Sequence, residues 1–139
     1  PVNVTAPDTL VIDALRTLNE INLSYLIVME GDEYKGIFSE RDYSRNVLLK
    51  GRSSEKTRVH EVMDTDVPQV SFDDTVEHCM NLMTQHSRRY LLAFNRDRFA
   101  GVITIHDLLR QVMASKEEVF DHALTQRLID VNEAGGRIY

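Results

Sequence analysis

The sequence predicts an α+β fold in which one unit, strand-helix-strand-strand-helix, occurs twice and is followed by a C-terminal helical extension. Three observations carry that reading. Gly36-Ile-Phe-Ser-Glu-Arg-Asp42 returns as Gly101-Val-Ile-Thr-Ile-His-Asp107, so a glycine, two apolar residues, a hydroxyl and an acid three positions later stand in one order twice. Tyr25-Leu26 ahead of the first copy matches Tyr90-Leu91 ahead of the second, again 65 positions on. Around both, apolar runs of strand length alternate with apolar stripes at helical spacing. A self-match that keeps strand, helix and turn in order over about 65 residues marks an internal repeat. A unit of that size buries too little surface to be comfortable alone, so the two are expected to pack on each other about a pseudo-twofold axis.

In order, Val2 to Thr5 is an extended lead, and Asp8 is the N-cap expected for a helix with Leu10, Ala14, Leu15, Leu18 and Ile21 on one stripe. Ser24 to Glu30 is an apolar strand, Gly31-Asp32 a turn, and Tyr34 to Phe38 the returning strand of a hairpin. The helix after Ser39 keeps Tyr43, Val47 and Leu48 on one side and ends near Lys50-Gly51. Arg52 to Arg58 has no apolar residue and reads as a solvated linker, after which Val59 to Met63 makes a short helical turn. Val67 to Val70 restarts the pattern, and Asp74-Thr75-Val76-Glu77 opens a helix with Glu77 at the capping-box position. Early in the repeat Val4 matches Val70 and Asp8-Thr9 matches Asp74-Thr75 at an offset of 66, which implies one residue lost near the end of the first helix. The expected organisation is therefore repeat 1 over 1–62, repeat 2 over 63–115 and the extension over 116–139. In that extension Phe120, Leu124, Leu128 and Val131 form a stripe ended by Gly135-Gly136, and it needs either this chain or a second subunit to cover it.

Composition narrows the function classes. At 139 residues the chain can bury a real core, and a net charge of −6 argues against a general nucleic-acid or anionic-membrane surface while leaving room for a local basic pocket. No apolar run approaches the roughly 18 residues that span a bilayer, no signal-peptide pattern opens the chain, and a cytoplasmic setting is expected. The start at Pro1 reads as a trimmed or processed end. Cys79 is the one cysteine, which excludes an internal disulfide and fits a small core hydrophobe on the Val76, Met80, Met83 stripe. His60, His78, His86, His106 and His122 show no close metal-ligand spacing. No nucleophile elbow, Walker loop or dinucleotide GxGxxG appears, so no catalysis is expected.

The motif itself has two readings. A hydroxyl followed three residues later by an acid is a capping box, in which Ser39 and Thr104 accept from free helix amides while Asp42 and Asp107 reach back to the cap amides. It is equally a ligand grip, since a carboxylate accepts both hydrogens of a cis-diol, at about 1.5–3 kcal/mol for each charge-assisted bond. A helix N-terminus suits a phosphate, and Arg41 and Arg45, one turn apart, can reach one anion. Two occurrences at matching places in a repeat favour the second reading.

These repeated residues, with Phe38-Ser-Glu-Arg-Asp-Tyr through Leu49-Lys-Gly-Arg-Ser-Ser and then Val59-x-x-Val-Met63, resemble a cystathionine-beta-synthase (CBS) domain pair, or Bateman module, of the stand-alone kind, over the chain up to about Met113. The resemblance implies a regulatory, signal-transducing module that binds an adenine nucleotide (AMP, ADP, ATP or NAD) in two clefts between the copies, forms a homodimer, and biases a regulated protein that the sequence does not identify. It implies that Asp42 and Asp107 hold ribose hydroxyls, that Ser39 and Thr104 lie beside ribose and phosphate, and that Arg41, Arg45, Arg88 and Arg89 neutralise phosphate. Glu40, Met63, His106, Thr5 and Tyr25 complete the implied ligand-binding set. His106 stands where the first copy has Arg41, and Ser24-Tyr25 where the second has Arg89-Tyr90, so the Asp42 cleft is expected to be the better supplied. Leu92 departs from the proline that many relatives carry. The rival reading is a ligand-free dimerisation module whose acids only cap helices and whose Arg88 and Arg89 form surface ion pairs.

Overall fold

The computed structural model describes residues 3–114 and 122–134, and the described chain divides into two units between Asp66 and Val67. Each unit is a three-stranded sheet with helices.

In the first unit β1 (Val4–Thr5), α1 (Val11–Ile21), β2 (Tyr25–Glu30) and β3 (Glu33–Ser39) are followed by α2 (Glu40–Tyr43), a π-helical stretch (Ser44–Leu48) and a 3-10 turn (Val59–Glu61). The sheet order is β1-β2-β3, with β1 parallel and β3 antiparallel to β2. Gly31, with φ of 62°, supplies the left-handed residue that the β2–β3 turn needs. Val11, Ala14 and Leu18 of α1 pack on Leu26, Val28 and Phe38 of the sheet, with Val47, Val59 and Val62 closing the cluster.

In the second unit β4 (Gln69–Ser71), α3 (Val76–His86), β5 (Tyr90–Asn95), β6 (Arg98–Thr104) and α4 (Ile105–Ala114) follow the same plan, and α5 (His122–Ala134) is added. The order β4-β5-β6 has the same parallel and antiparallel senses. Cys79, Met80 and Met83 of α3 pack with Leu91, Ile105 and Leu108, and burial pushes the Cys79 thiol pKa up. Leu124 and Leu128 of α5 are buried in this same cluster. The described part of the extension, α5, therefore packs on its own second unit, and Phe120 and Gly135-Gly136 of the expected stripe lie outside the described residues.

Several expectations change. The offset is 65 throughout: Val4 pairs with Ile27 and Gln69 with Leu92, the helices start at Val11 and Val76, and Asn22 and Ser87 both end them in the left-handed region. No residue is lost. The apparent offset of 66 arises because helix capping is done differently in the two copies. In α3 the Thr75 hydroxyl accepts from the His78 amide at 3.1 Å, which puts His78, not Glu77, at N3. In α1 the matching residue is Leu10, no side chain caps, and the amides of Val11 and Ile12 donate to the carbonyls of Thr57 (2.9 Å) and Ser54 (3.0 Å). Arg52 to Arg58 is thus a strap across the N-terminus of α1 with Thr57 buried, not a free linker. Asp8 is no N-cap. Glu61 fixes the strap's end by accepting from the Arg58 amide at 2.7 Å and pairing with Arg52 at 2.9 Å, and that amide bond holds its carboxyl below the usual range.

The helix after Ser39 also differs from expectation, because α geometry lasts only to Tyr43 before the π-helical stretch. The wider turn shifts the phase of the stripe, so Val47 is buried while Leu48 is 59% exposed. Gly51, at φ of 68°, ends this segment in the left-handed region as a glycine suits. At Leu92 the main-chain amide donates to the Pro68 carbonyl at 2.9 Å, a bond that proline in that place does not make.

Candidate functional site

In each unit the last residue of one strand is the cap of the helix that follows, and the middle strand starts beside it. Tyr25 of β2 is in register with Ser39 of β3, and Tyr90 of β5 with Thr104 of β6. The amide that opens each helix, Glu40 or Ile105, donates to the carbonyl one residue ahead of the middle strand, Ser24 (3.2 Å) or Arg89 (2.9 Å). Strand end, helix start and middle-strand start are thereby pinned together. In the first unit this gathers Tyr25, Ser39, Glu40, Arg41 and Asp42; in the second it gathers Arg89, Thr104, His106 and Asp107.

Both motif acids close a capping box through one oxygen. Asp42 Oδ2 accepts from the Ser39 amide at 2.8 Å and from the Ser39 hydroxyl at 2.9 Å, while Ser39 Oγ accepts from the Asp42 amide at 3.2 Å. Asp107 Oδ2 accepts from the Thr104 amide at 2.9 Å, and Thr104 Oγ1 accepts from the Asp107 amide at 3.2 Å. The capping reading is therefore correct as local structure. It fixes each carboxylate's rotamer without exhausting it, since two oxygens offer about four lone-pair directions. Asp107 Oδ1 meets the Arg110 guanidinium one turn along α4.

The remaining expected residues are placed as follows. Arg41 is half-buried on α2, and Arg45 is exposed on the π-helical stretch. Met63 packs partly buried against the first core, where its Sδ would lie 2.8 Å, and the Asp64 carbonyl 2.9 Å, from a Cβ added to Gly36. That close approach, secured by the two main-chain bonds between Ile37 and Asp64, explains the motif's first glycine. Thr5 is not gathered with the motif of its own unit: it pairs with Val28, three residues or about 10 Å along β2 from Tyr25, and its hydroxyl donates to Thr9 at 3.0 Å. Arg88 is half-buried, and Arg89 is 7% exposed with Nη1 donating to the Asn132 carbonyl at 2.8 Å. His106 is exposed.

The residue that the sequence reading missed is Arg110. The signal was present, since Asp42-x-x-Arg45 and Asp107-x-x-Arg110 are one spacing repeated at the 65-residue offset.

Comparison with known proteins agrees with this architecture. The family model described as CBS domain matches residues 1–48 and 59–114. A mitochondrial CBS domain-containing protein of Arabidopsis thaliana, CBSX3, is 31% identical over 119 residues, which cover 82% of this chain and 57% of that protein, so the chain spans little more than half of that relative's length. The solved structure of a protein with CBS domains from Burkholderia ambifaria MC40-6 superposes with a TM-score of 0.76 at 35% identity, covering 87% of this chain and 89% of that one. CBSX2, solved in complex with AMP, shares the fold at a TM-score of 0.68 and 24% identity, covering 84% and 90% of the two chains. With two family-model matches, one on each unit, and the same strand order and capped motif in both, the chain belongs to the CBS-domain family as a tandem pair.

Proposed function

We propose that this CBS pair is a regulatory sensor of adenine nucleotides, AMP, ADP, ATP or NAD, and that Asp42 and Asp107 grip the ribose hydroxyls. The observation that carries the reading is the doubled, pre-oriented carboxylate: each acid is locked by its own cap at a strand-to-helix junction, so its rotamer entropy is already lost before a ligand arrives. The AMP held by CBSX2, a protein of the same fold, supports the ligand class. Ser39, Thr104, Glu40, Arg41, Arg45, Tyr25, His106 and Met63 are assigned supporting roles around ribose, base and phosphate. The phosphate role of Arg88 and Arg89 and the part of Thr5 rest on the family resemblance and are tested by substitution. No reaction is assigned. Ligand binding biases the packing of a homodimer or of a regulated protein, as a population shift between states of different affinity.

The test is a melting-temperature panel with AMP, ADP, ATP and NAD. A ligand present at a hundred times its Kd stabilises the fold by about 2.7 kcal/mol, a rise of several degrees. A flat panel at millimolar ligand, beside a melting point unaffected by nucleotide-free controls, is the result expected of a ligand-free dimerisation module instead.

A further inference from the structure

The second copy was expected to lack an arginine at its motif, because His106 occupies the position of Arg41. The structure supplies one from another position. Arg110 lies three residues after Asp107 on a regular α-helix, its side chain 71% exposed, and its Nη2 bonds Asp107 Oδ1, the oxygen not used by the cap. The 65-residue offset equates it with Arg45, which sits on the π-helical stretch Ser44–Leu48 rather than on an α-helix. The two copies therefore carry this arginine on different backbone geometry, and α4 places Arg110 by i,i+3 geometry on the face of the acid.

We propose that Arg110 is the specificity-determining residue of the second copy, which makes the Asp107 site select phosphate-bearing adenosine ligands over adenosine. The proposal rests on the sensor reading above and deepens it. The Asp107–Arg110 pair is exposed on both sides, 44% and 71%, so it is a weak bond that a ligand displaces readily. The ribose hydroxyls arriving at Asp107 compete with Arg110 for the same carboxylate. With adenosine, the displaced guanidinium gains only water. With AMP, the sugar carries a phosphate, and the guanidinium on its three-methylene stem exchanges a carboxylate for a dianion that matches its paired donors. Arg110 thus opposes the nucleoside slightly and favours the nucleotide strongly.

The test uses the full chain in an Asp42→Asn background, which weakens the first copy, and titrates adenosine and AMP calorimetrically with and without Arg110→Gln. Loss of the guanidinium should weaken AMP by about tenfold or more. Adenosine should be unchanged or up to about fivefold tighter. Arg110→Lys, which keeps the charge, should retain part of the AMP preference, and raised salt should shrink the preference more when residue 110 is cationic than in Arg110→Gln. If Arg110→Gln shifts AMP and adenosine by the same factor, or shifts neither while the parent protein still binds AMP, the proposal is overturned and the sensor reading stands. If the parent binds no AMP at all, both fall.

Discussion

Asp42 serves its own helix and, in the proposed function, a ligand, and the two roles separate by substitution. Asparagine at this N3 position keeps an oxygen that accepts from the Ser39 amide, so the 2.8 Å cap bond survives while the negative charge goes. Asp42→Asn should therefore melt within a couple of degrees of the parent and bind nucleotide about tenfold or more weakly. Asp42→Ala removes the return bonds from the Ser39 amide and hydroxyl as well, at about 1 kcal/mol, so it mixes the two effects. The melting curve and a titration of each variant check this; equal binding by parent and Asp42→Asn would leave the acid with capping alone. Gly36 gives a second residue-scale prediction. A methyl there would meet Met63 Sδ at 2.8 Å and the Asp64 carbonyl at 2.9 Å, and the carbonyl cannot yield without breaking the Ile37–Asp64 bridge. Gly36→Ala should cost about 1–3 kcal/mol by denaturant unfolding. Both residues were legible in the sequence, the acid from its three-residue spacing and the glycine from its recurrence. The crowding that makes Gly36 obligatory was not, since it depends on where Met63 and Asp64 return to β3.

At the scale of elements, the hairpins, the first helix stripe and the Val59 turn stood in the sequence because each is set by local pattern: Gly31 for the turn, apolar runs for β2 and β5, threes and fours for α1. What local pattern hides is a hydrogen bond borrowed from far along the chain. The strap Arg52 to Arg58 looks like a solvated linker because its contribution is made by main-chain carbonyls, which carry no residue signature. The same substitution of backbone for side chain made Asp8-Thr9 appear to match Asp74-Thr75 one position out of register. A consequence is measurable by hydrogen exchange. First-turn helix amides ordinarily exchange fast, but those of Val11 and Ile12, tied to Thr57 and Ser54 at 2.9 and 3.0 Å, should be protected like helix-interior amides. Exchange at the rate of an open helix end would mean that the strap does not hold. The extension was legible as a stripe, whereas its partner was not: Leu124 and Leu128 would fit another subunit as well as Met83 and Leu91, and the Arg89 bond to Asn132, a carbonyl in the last turn of α5, is a long-range cap for that helix end.

At the scale of the whole chain, one plan is executed twice with different means. The sheets share strand order, register and even the bulge, between Val28 and Met29 in one and Ala93 and Phe94 in the other. The caps of α1 and α3 and the helical stretch after each motif differ. Duplication thus preserves the capped acid at the strand-to-helix junction while its surroundings differ from copy to copy. Among the described residues no helix is long and apolar enough to cross a membrane. If the motif acids hold a nucleotide, calorimetric titration of AMP separates the full chain from its Asp42→Asn, Asp107→Asn double variant. Saturable binding by the parent, weakened at least about tenfold in a double variant that melts like the parent, is the predicted result. Equal AMP affinity in both proteins, or no saturable heat in the parent, would contradict it.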